Sequence, residues 1–236
     1  MIRYNRKIFH IVFILVFPVI TVLLFSCTDF FSSSWASWAA RDPAKLIPDV
    51  TPDNVDELIE IAQNDPDLSL ELLIKIGEAA EGASDEEKAK LQAAAVEAAA
   101  NAVGLGQTIL GAAGGLTDLE DGEDAKDAIL DAVNSMPNLD EASSSLYDTL
   151  PKDAPHGEEF ENFIDTATPD EIALAAILLL AGEAKKNDGE EYVDNFRSSP
   201  TSPEAQLALD LAASLADKEG ELSGSLHDIL ESLNLL

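Results

Sequence analysis

The sequence predicts an all-α protein in which helical hairpins pack as a bundle or a short α-solenoid, and three observations carry that expectation. No segment of useful length alternates apolar and polar residues with period two, and β-branched residues are sparse. Helix-start signals recur along the chain, each a side-chain oxygen able to accept from orphan backbone N–H groups. The connections between the helices so delimited are mostly two to six residues, which favours antiparallel neighbours.

Asp42-Pro43, Thr51-Pro52, Asp65-Pro66, Thr168-Pro169 and Ser202-Pro203 pair a capping residue with a proline suited to the first helical turn. Ser84 with Glu87, Thr117 with Glu120 and Thr168 with Glu171 have capping-box spacing, in which the acid reaches back to the N–H of the cap residue. These signals predict helices over 53–63, 67–81, 85–103, 105–114, 118–135, 139–149, 157–166, 169–187, 189–196, 203–217 and 222–234. In the first, Val55, Leu58, Ile59 and Ala62 share a face at helical spacing while Asp56, Glu57 and Glu60 fall off it. Leu68, Leu72, Leu73 and Ile76 do the same in the second.

Residues 98–117 carry no charge but hold Asn101, Gln107, Thr108 and five glycines, so transfer to lipid gains little. A buried helix broken near Gly104 to Gly106 is predicted there, the alternative being a flexible, ligand-gated or membrane-inserting segment. Residues 172–181 are apolar all round and too short to span a bilayer, which predicts the central core helix. From Leu73 through Ile76-Gly77-Glu78-Ala79-Ala80, Gly82, Asp85 and Lys88-Ala89 to Ala98-Ala99, the chain loosely resembles one tetratricopeptide repeat. The family's aromatic positions are absent and no second copy follows at its period of about 34 residues. The resemblance implies hairpins packed as in an α-solenoid, with a concave protein-binding face.

Composition narrows the function classes. Of 236 residues, 14 are Lys or Arg and 45 are Asp or Glu. Removal of residues 1–26, which hold Arg3, Arg6 and Lys7 and no acid, would leave 11 basic against 45 acidic residues, a net charge of −34. Such a surface repels phosphate backbones, so no nucleic-acid partner is expected. The excess acid keeps an Ala-rich helical protein soluble, or it faces a basic partner or weakly held divalent cations. Aromatics are 6% of the chain, so the core must be aliphatic.

The N-terminus has the three-part pattern of a secretory signal: residues 1–7 are short and basic, residues 8–25 are apolar with interruptions at His10, Pro18 and Thr21, and the small Ser26 precedes Cys27. Cys27 is the single cysteine, so no disulfide forms within the chain. Leu23-Leu24-Phe25-Ser26-Cys27 resembles a bacterial lipobox, in its relaxed spirochaete-like form, because Phe25 stands where the strict form prefers a small residue. That resemblance implies cleavage before Cys27, lipid attachment on its sulfur with palmitate-type chains, and a lipoprotein of the cell envelope facing the periplasm. Diacylglyceryl and amide-linked chains together exceed the two-signal requirement for stable anchoring. An uncleaved signal anchor is the alternative; the three basic residues hold the N-terminus inside under both readings.

The expected organisation is a signal peptide over 1–26, a lipid anchor with an aromatic and Ser-rich tether over 27–41, and an acidic all-α domain over 42–236. The tether concentrates Phe30, Phe31, Trp35 and Trp38 beside the anchor. Indole prefers the headgroup region, which makes these four membrane-interface candidates; docking on the helical domain is the other reading.

Chemistry-bearing motifs are scarce. His156 and His227 are read as solvated or capping residues, neither having a neighbour at the i, i+4 spacing that would make a zinc pair, and no HExxH or cysteine cluster exists. Gly220-Glu221-Leu222-Ser223-Gly224 lacks the glycine two before serine of a nucleophile elbow. Gly104-Leu105-Gly106 follows a helix rather than a strand and is no dinucleotide fingerprint. The acids Asp118, Glu120, Asp121, Glu123, Asp124 and Asp127 fit a helix N-terminus better than a calcium loop, because Thr117 and Leu119 would fall at ligand positions. The chain is therefore expected to be no enzyme, with no catalytic residue, metal or cofactor. The expected role is a membrane-anchored helical scaffold or accessory subunit with a protein partner. The alternative is a periplasmic protein binding lipid or another hydrophobic ligand.

Overall fold

The computed structural model describes residues 47–105, 131, 133–187, 202–216, 218–233 and 235. They belong to one compact unit, Ile47–Leu236. Among them are eight α-helices, one short 3-10 turn and no strand, so the protein is an all-α helical bundle. All but Leu105 of the helix predicted over 105–114, the helix predicted over 189–196, most of 118–135, and the starts at Asp42 and Thr117 lie outside the described residues.

Helices α1 (Val55–Ala62), α2 (Pro66–Glu81) and α3 (Asp85–Ala102) follow one another through short turns. Thr51-Pro52 does not open α1 as predicted: the Thr51 carbonyl accepts from Asn54 and Val55, and its N–H donates to Asn54 Oδ1 at 2.8 Å. The local bonds make 51–54 a lead-in turn. Asp65 does cap α2, its Oδ1 accepting from the Leu68 N–H at 3.1 Å. At α3, Ser84 donates from both N–H and hydroxyl to Glu87.

Val55, Ile59 and Ala62 are buried with Leu58 partly so, and Leu72, Leu73 and Ile76 are buried beside them, which is the predicted apolar stripe of each helix. α3 ends at Ala102, and Gly104 adopts φ +64°, a left-handed conformation that glycine accepts at little cost. The expected break near Gly104 is there, with Val103 and Leu105 buried on either side.

Helix α4 (Leu139–Thr149) spans the predicted residues. It starts behind Asn138 at φ 53°, where a short polar side chain is tolerated. The Asn138 amide reaches Asp67 at 3.3 Å and the Ala102 carbonyl at 3.4 Å, so the start of α4 meets the start of α2 and the end of α3. Helix α5 (Glu158–Thr166) is capped from a distance: the Asp153 carboxylate accepts from the N–H groups of Glu159 and Phe160. A Cβ on Gly157 would fall 1.9 Å from that carboxyl, so the cap needs glycine there.

Helix α6 (Pro169–Lys186) is the predicted core helix. Ile172, Ala173, Ala175, Ala176 and the run Ile177 to Ala181 are buried. α6 packs against α3, α4, α7 (Pro203–Ser214) and α8 (Gly224–Ser232), and α3 packs against α1, α2, α4, α5 and α6. These two helices hold the centre, and both are alanine-rich. Small side chains let several helices approach one, and the enclosed residues are almost wholly aliphatic, Phe160 and Phe163 excepted.

α7 packs along α6, with Lys186 reaching Glu204 at one end, and the Lys218 amine just beyond α7 donates to the Ile164 carbonyl of α5. It ends at Ser214, short of the predicted 217, and a 3-10 turn over Glu219–Glu221, unforeseen in the sequence, precedes α8. The Ser223 N–H, at the cap of α8, donates to Asp170 Oδ1 of α6 at 2.8 Å.

Candidate functional site

The residues that sequence patterns single out for attachment and membrane contact, Cys27, Phe30, Phe31, Trp35 and Trp38, lie outside the described residues. Among the described residues no helix is long and apolar enough to cross a membrane. Four clusters of polar side chains stand out among the described residues.

The first joins α3, α4 and α5. Gln92 is fully buried, and its Nε2 donates to the Thr149 carbonyl at 3.0 Å and to Glu159 Oε1 at 2.7 Å. Lys88, one turn earlier on α3, pairs with the same Glu159 oxygen at 2.9 Å. Gln92 Oε1 is buried with no protein partner, a position in which an ordered water commonly completes the bonding. Sequence periodicity did not find this group, because a glutamine at the start of an alanine run reads as a solvated position.

The second lies where α6 and α7 meet. Glu183 is buried, with Oε1 3.1 Å from Lys186, whose amine is 3.8 Å from Glu204. Lys185 reaches Asp140 of α4 at 3.9 Å. A third group is formed by Lys152, which donates to the Tyr147 carbonyl and places its amine 3.0 Å from the centre of the Tyr147 ring. Burial lowers the pKa of that amine to about 8 against the pull of Asp148, Glu204 and Glu159. Burial also raises the Tyr147 phenol, with Glu204 and Asp148 adding to the effect.

The fourth is on α8. His227, half-buried, and the exposed Asp228 and Glu231 hold ligand-capable atoms within 4.8 Å of one another. His227 Nδ1 is 3.7 Å from Asp228 Oδ1. Glu231 stands at i, i+4 from His227, a carboxylate rather than the second histidine of a zinc pair. The signal was legible as His-Asp-x-x-Glu, but a search restricted to histidine and cysteine partners passes over it. His156 lies exposed in the turn before α5.

All seven described lysines are engaged. Lys75 and Lys218 donate to the carbonyls of Ile47 and Ile164, Lys90 to that of Pro52 and to Asp56, and the other four are engaged as above. Apart from the Lys186–Glu183 pair within α6, these bonds tie residues of different segments or cap a turn, so the described lysines are spent within the fold while most carboxylates stay in water. Glu97 of α3 is one of the few acids displaced in its titration: burial raises its pKa, and Glu171 and Asp56 push the same way. The two exposed large apolar side chains among the described residues are Ile61 of α1 and Ile74 of α2, at 63% and 41% exposure.

Comparison of the chain with protein families, with characterised proteins and with solved structures finds no match.

Proposed function

We propose that the chain is a cell-envelope lipoprotein, held on a membrane by fatty chains on Cys27, whose acidic helical bundle stands outside the cytoplasm and serves as a scaffold or accessory subunit for another envelope protein. The observation that carries this reading is the run Leu23-Leu24-Phe25-Ser26-Cys27 behind a basic and then apolar leader. Phe30, Phe31, Trp35 and Trp38 follow within eleven residues of the cysteine and suit the headgroup layer beside the lipid.

The scaffold role is supported by how the bundle uses its charges. Its described lysines are bound internally, which leaves a carboxylate-rich exterior with Ile61 and Ile74 exposed on the first two helices. A partner presenting basic groups around an apolar contact complements that combination.

Two measurements test the proposal. Intact-mass analysis of native protein, with membrane fractionation of native and Cys27→Ala forms, should give a lipidated mass and a membrane-bound native protein, and a released variant. An unmodified thiol on a soluble native protein would overturn the anchor. A photo-crosslinking residue at position 61 of the anchored protein should then yield one reproducible adduct that Ile74→Glu removes. Lipid co-purifying with the bundle in the absence of any adduct would replace the scaffold by a carrier of a hydrophobic ligand.

A further inference from the structure

We propose that α8 carries a binding site for a divalent transition metal, with zinc(II) as the ion its donors fit best, formed by the imidazole of His227 and the carboxylates of Asp228 and Glu231. The donor atoms already lie within 4.8 Å of one another on a single helix, so they converge by side-chain rotation alone. Around zinc, ligands at about 2.0–2.2 Å from the ion stand roughly 3–3.5 Å apart in a tetrahedron. The 3.7 Å between His227 Nδ1 and Asp228 Oδ1 is close to that spacing. His227 and Glu231 are one helical turn apart and therefore neighbours on one face.

The donor set selects among cations. A neutral imidazole nitrogen suits zinc, nickel and copper, whereas magnesium and calcium call for oxygen ligands throughout. Two carboxylates supply the charge that balances a divalent ion. Both are exposed, which leaves room for water in the remaining coordination position.

The position of the site is compatible with a bound cation. α8 has no basic residue in its last turn, although the carbonyl end of a helix carries partial negative charge and favours a cation. Asp228 and Glu231 add two negative charges close to that end, and a bound metal supplies the counter-charge. The helix is held in place by Leu226 and Leu230 in the core and by the bond from Ser223 to Asp170, so binding has chiefly the exposed Asp228 and Glu231 side chains to order.

The test is a titration of the metal-stripped full chain, in detergent, with zinc chloride, read by calorimetry and by the imidazole nitrogen signals in NMR. The chain has only three histidines, so assignment is direct. One equivalent of zinc should shift or broaden the His227 ring signals and leave those of His156 unmoved. His227→Gln should remove that equivalent or weaken it at least about tenfold, the lower bound for disturbing a metal's coordination, and Glu231→Gln should weaken it also. The NMR readout on unaltered protein keeps the test valid if a variant misfolds. A His227 signal indifferent to zinc would overturn the proposal. So would an isotherm unchanged by His227→Gln, or full displacement of zinc by an equal concentration of calcium, which would mean diffuse binding to surface acids.

Discussion

Gly182 of α6 lies so close to Ser143 of α4 that a Cβ on the glycine would stand 2.2 Å from the serine Oγ and 2.5 Å from its Cβ. Both residues are buried, and the salt bridge from Lys185 to Asp140 closes the same helix pair one turn away. A similar approach occurs at Gly77 of α2, where a Cβ would meet Thr149 Oγ1 at 2.8 Å. These contacts set how near α4 comes to its neighbours.

Gly182→Ala should therefore destabilise the bundle by about 1–3 kcal/mol, since overpacking at a closed helix contact outweighs the roughly 1 kcal/mol of helix propensity that alanine contributes. Ser143→Gly in the same chain should recover part of the loss. Gly82→Ala is the control: nothing lies within 4 Å of its Cβ, and its φ is −103°, so stability should hold or rise slightly. Urea midpoints of the three variants measure this.

Thr168 accepts from the Glu171 N–H at 3.3 Å while its own N–H and hydroxyl donate to the Glu171 carboxylate at 2.7 and 2.9 Å. Thr168→Ala should cost about 1 kcal/mol. The loss should appear as faster amide exchange in the first turn of α6.

Gln92→Leu keeps most of the side-chain volume but leaves the buried Thr149 carbonyl without its donor from Gln92. A loss of about 1–3 kcal/mol in thermal or urea unfolding is expected. An unchanged midpoint would mean that the orphan Oε1 had been costing as much as the two amide bonds contribute.

The pH dependence of two acids on α3 should be opposite in sign. The Glu97 pKa is raised on folding from its ordinary 4.5, so the folded state holds that proton more tightly and the charged form weakens the fold at neutral pH. Glu97→Gln should stabilise the protein at neutral pH, with the advantage vanishing as acid protonates the native residue. The Glu87 pKa is lowered by its bonds from Ser84, so its contribution is present at neutral pH and lost as pH falls through the depressed value. Ser84→Ala should thus be harmful at neutral pH and nearly silent in strong acid. Unfolding midpoints across a pH series decide both.

Much of the helical architecture was legible from residues alone. Asp65, Thr168 and Ser202 cap as their spacing predicts, and residues 139–149 and 172–181 are helical as read. Thr51 fails as a cap because Asn54, three residues on, turns the chain first. The Asp153 cap went unseen because it acts across six and seven residues through Gly157, beyond the three-residue reach of a capping box.

The candidate sites divide in the same way. The run Leu23-Leu24-Phe25-Ser26-Cys27, on which the proposed anchor rests, is a linear pattern, and His227 with Glu231 is a pattern of one helical turn. The burial of Gln92 and Glu183 and the contact of Gly182 with Ser143 were not readable. Most caps and apolar stripes are set by bonds and spacings within about four residues, so sequence alone located the starts of α2, α6 and α7 and the buried side of α1 and α2. Which helix faces which depends on phase and approach distance between residues as far apart as Ser143 and Gly182, or Gly77 and Thr149, and only the packed tertiary structure resolves those.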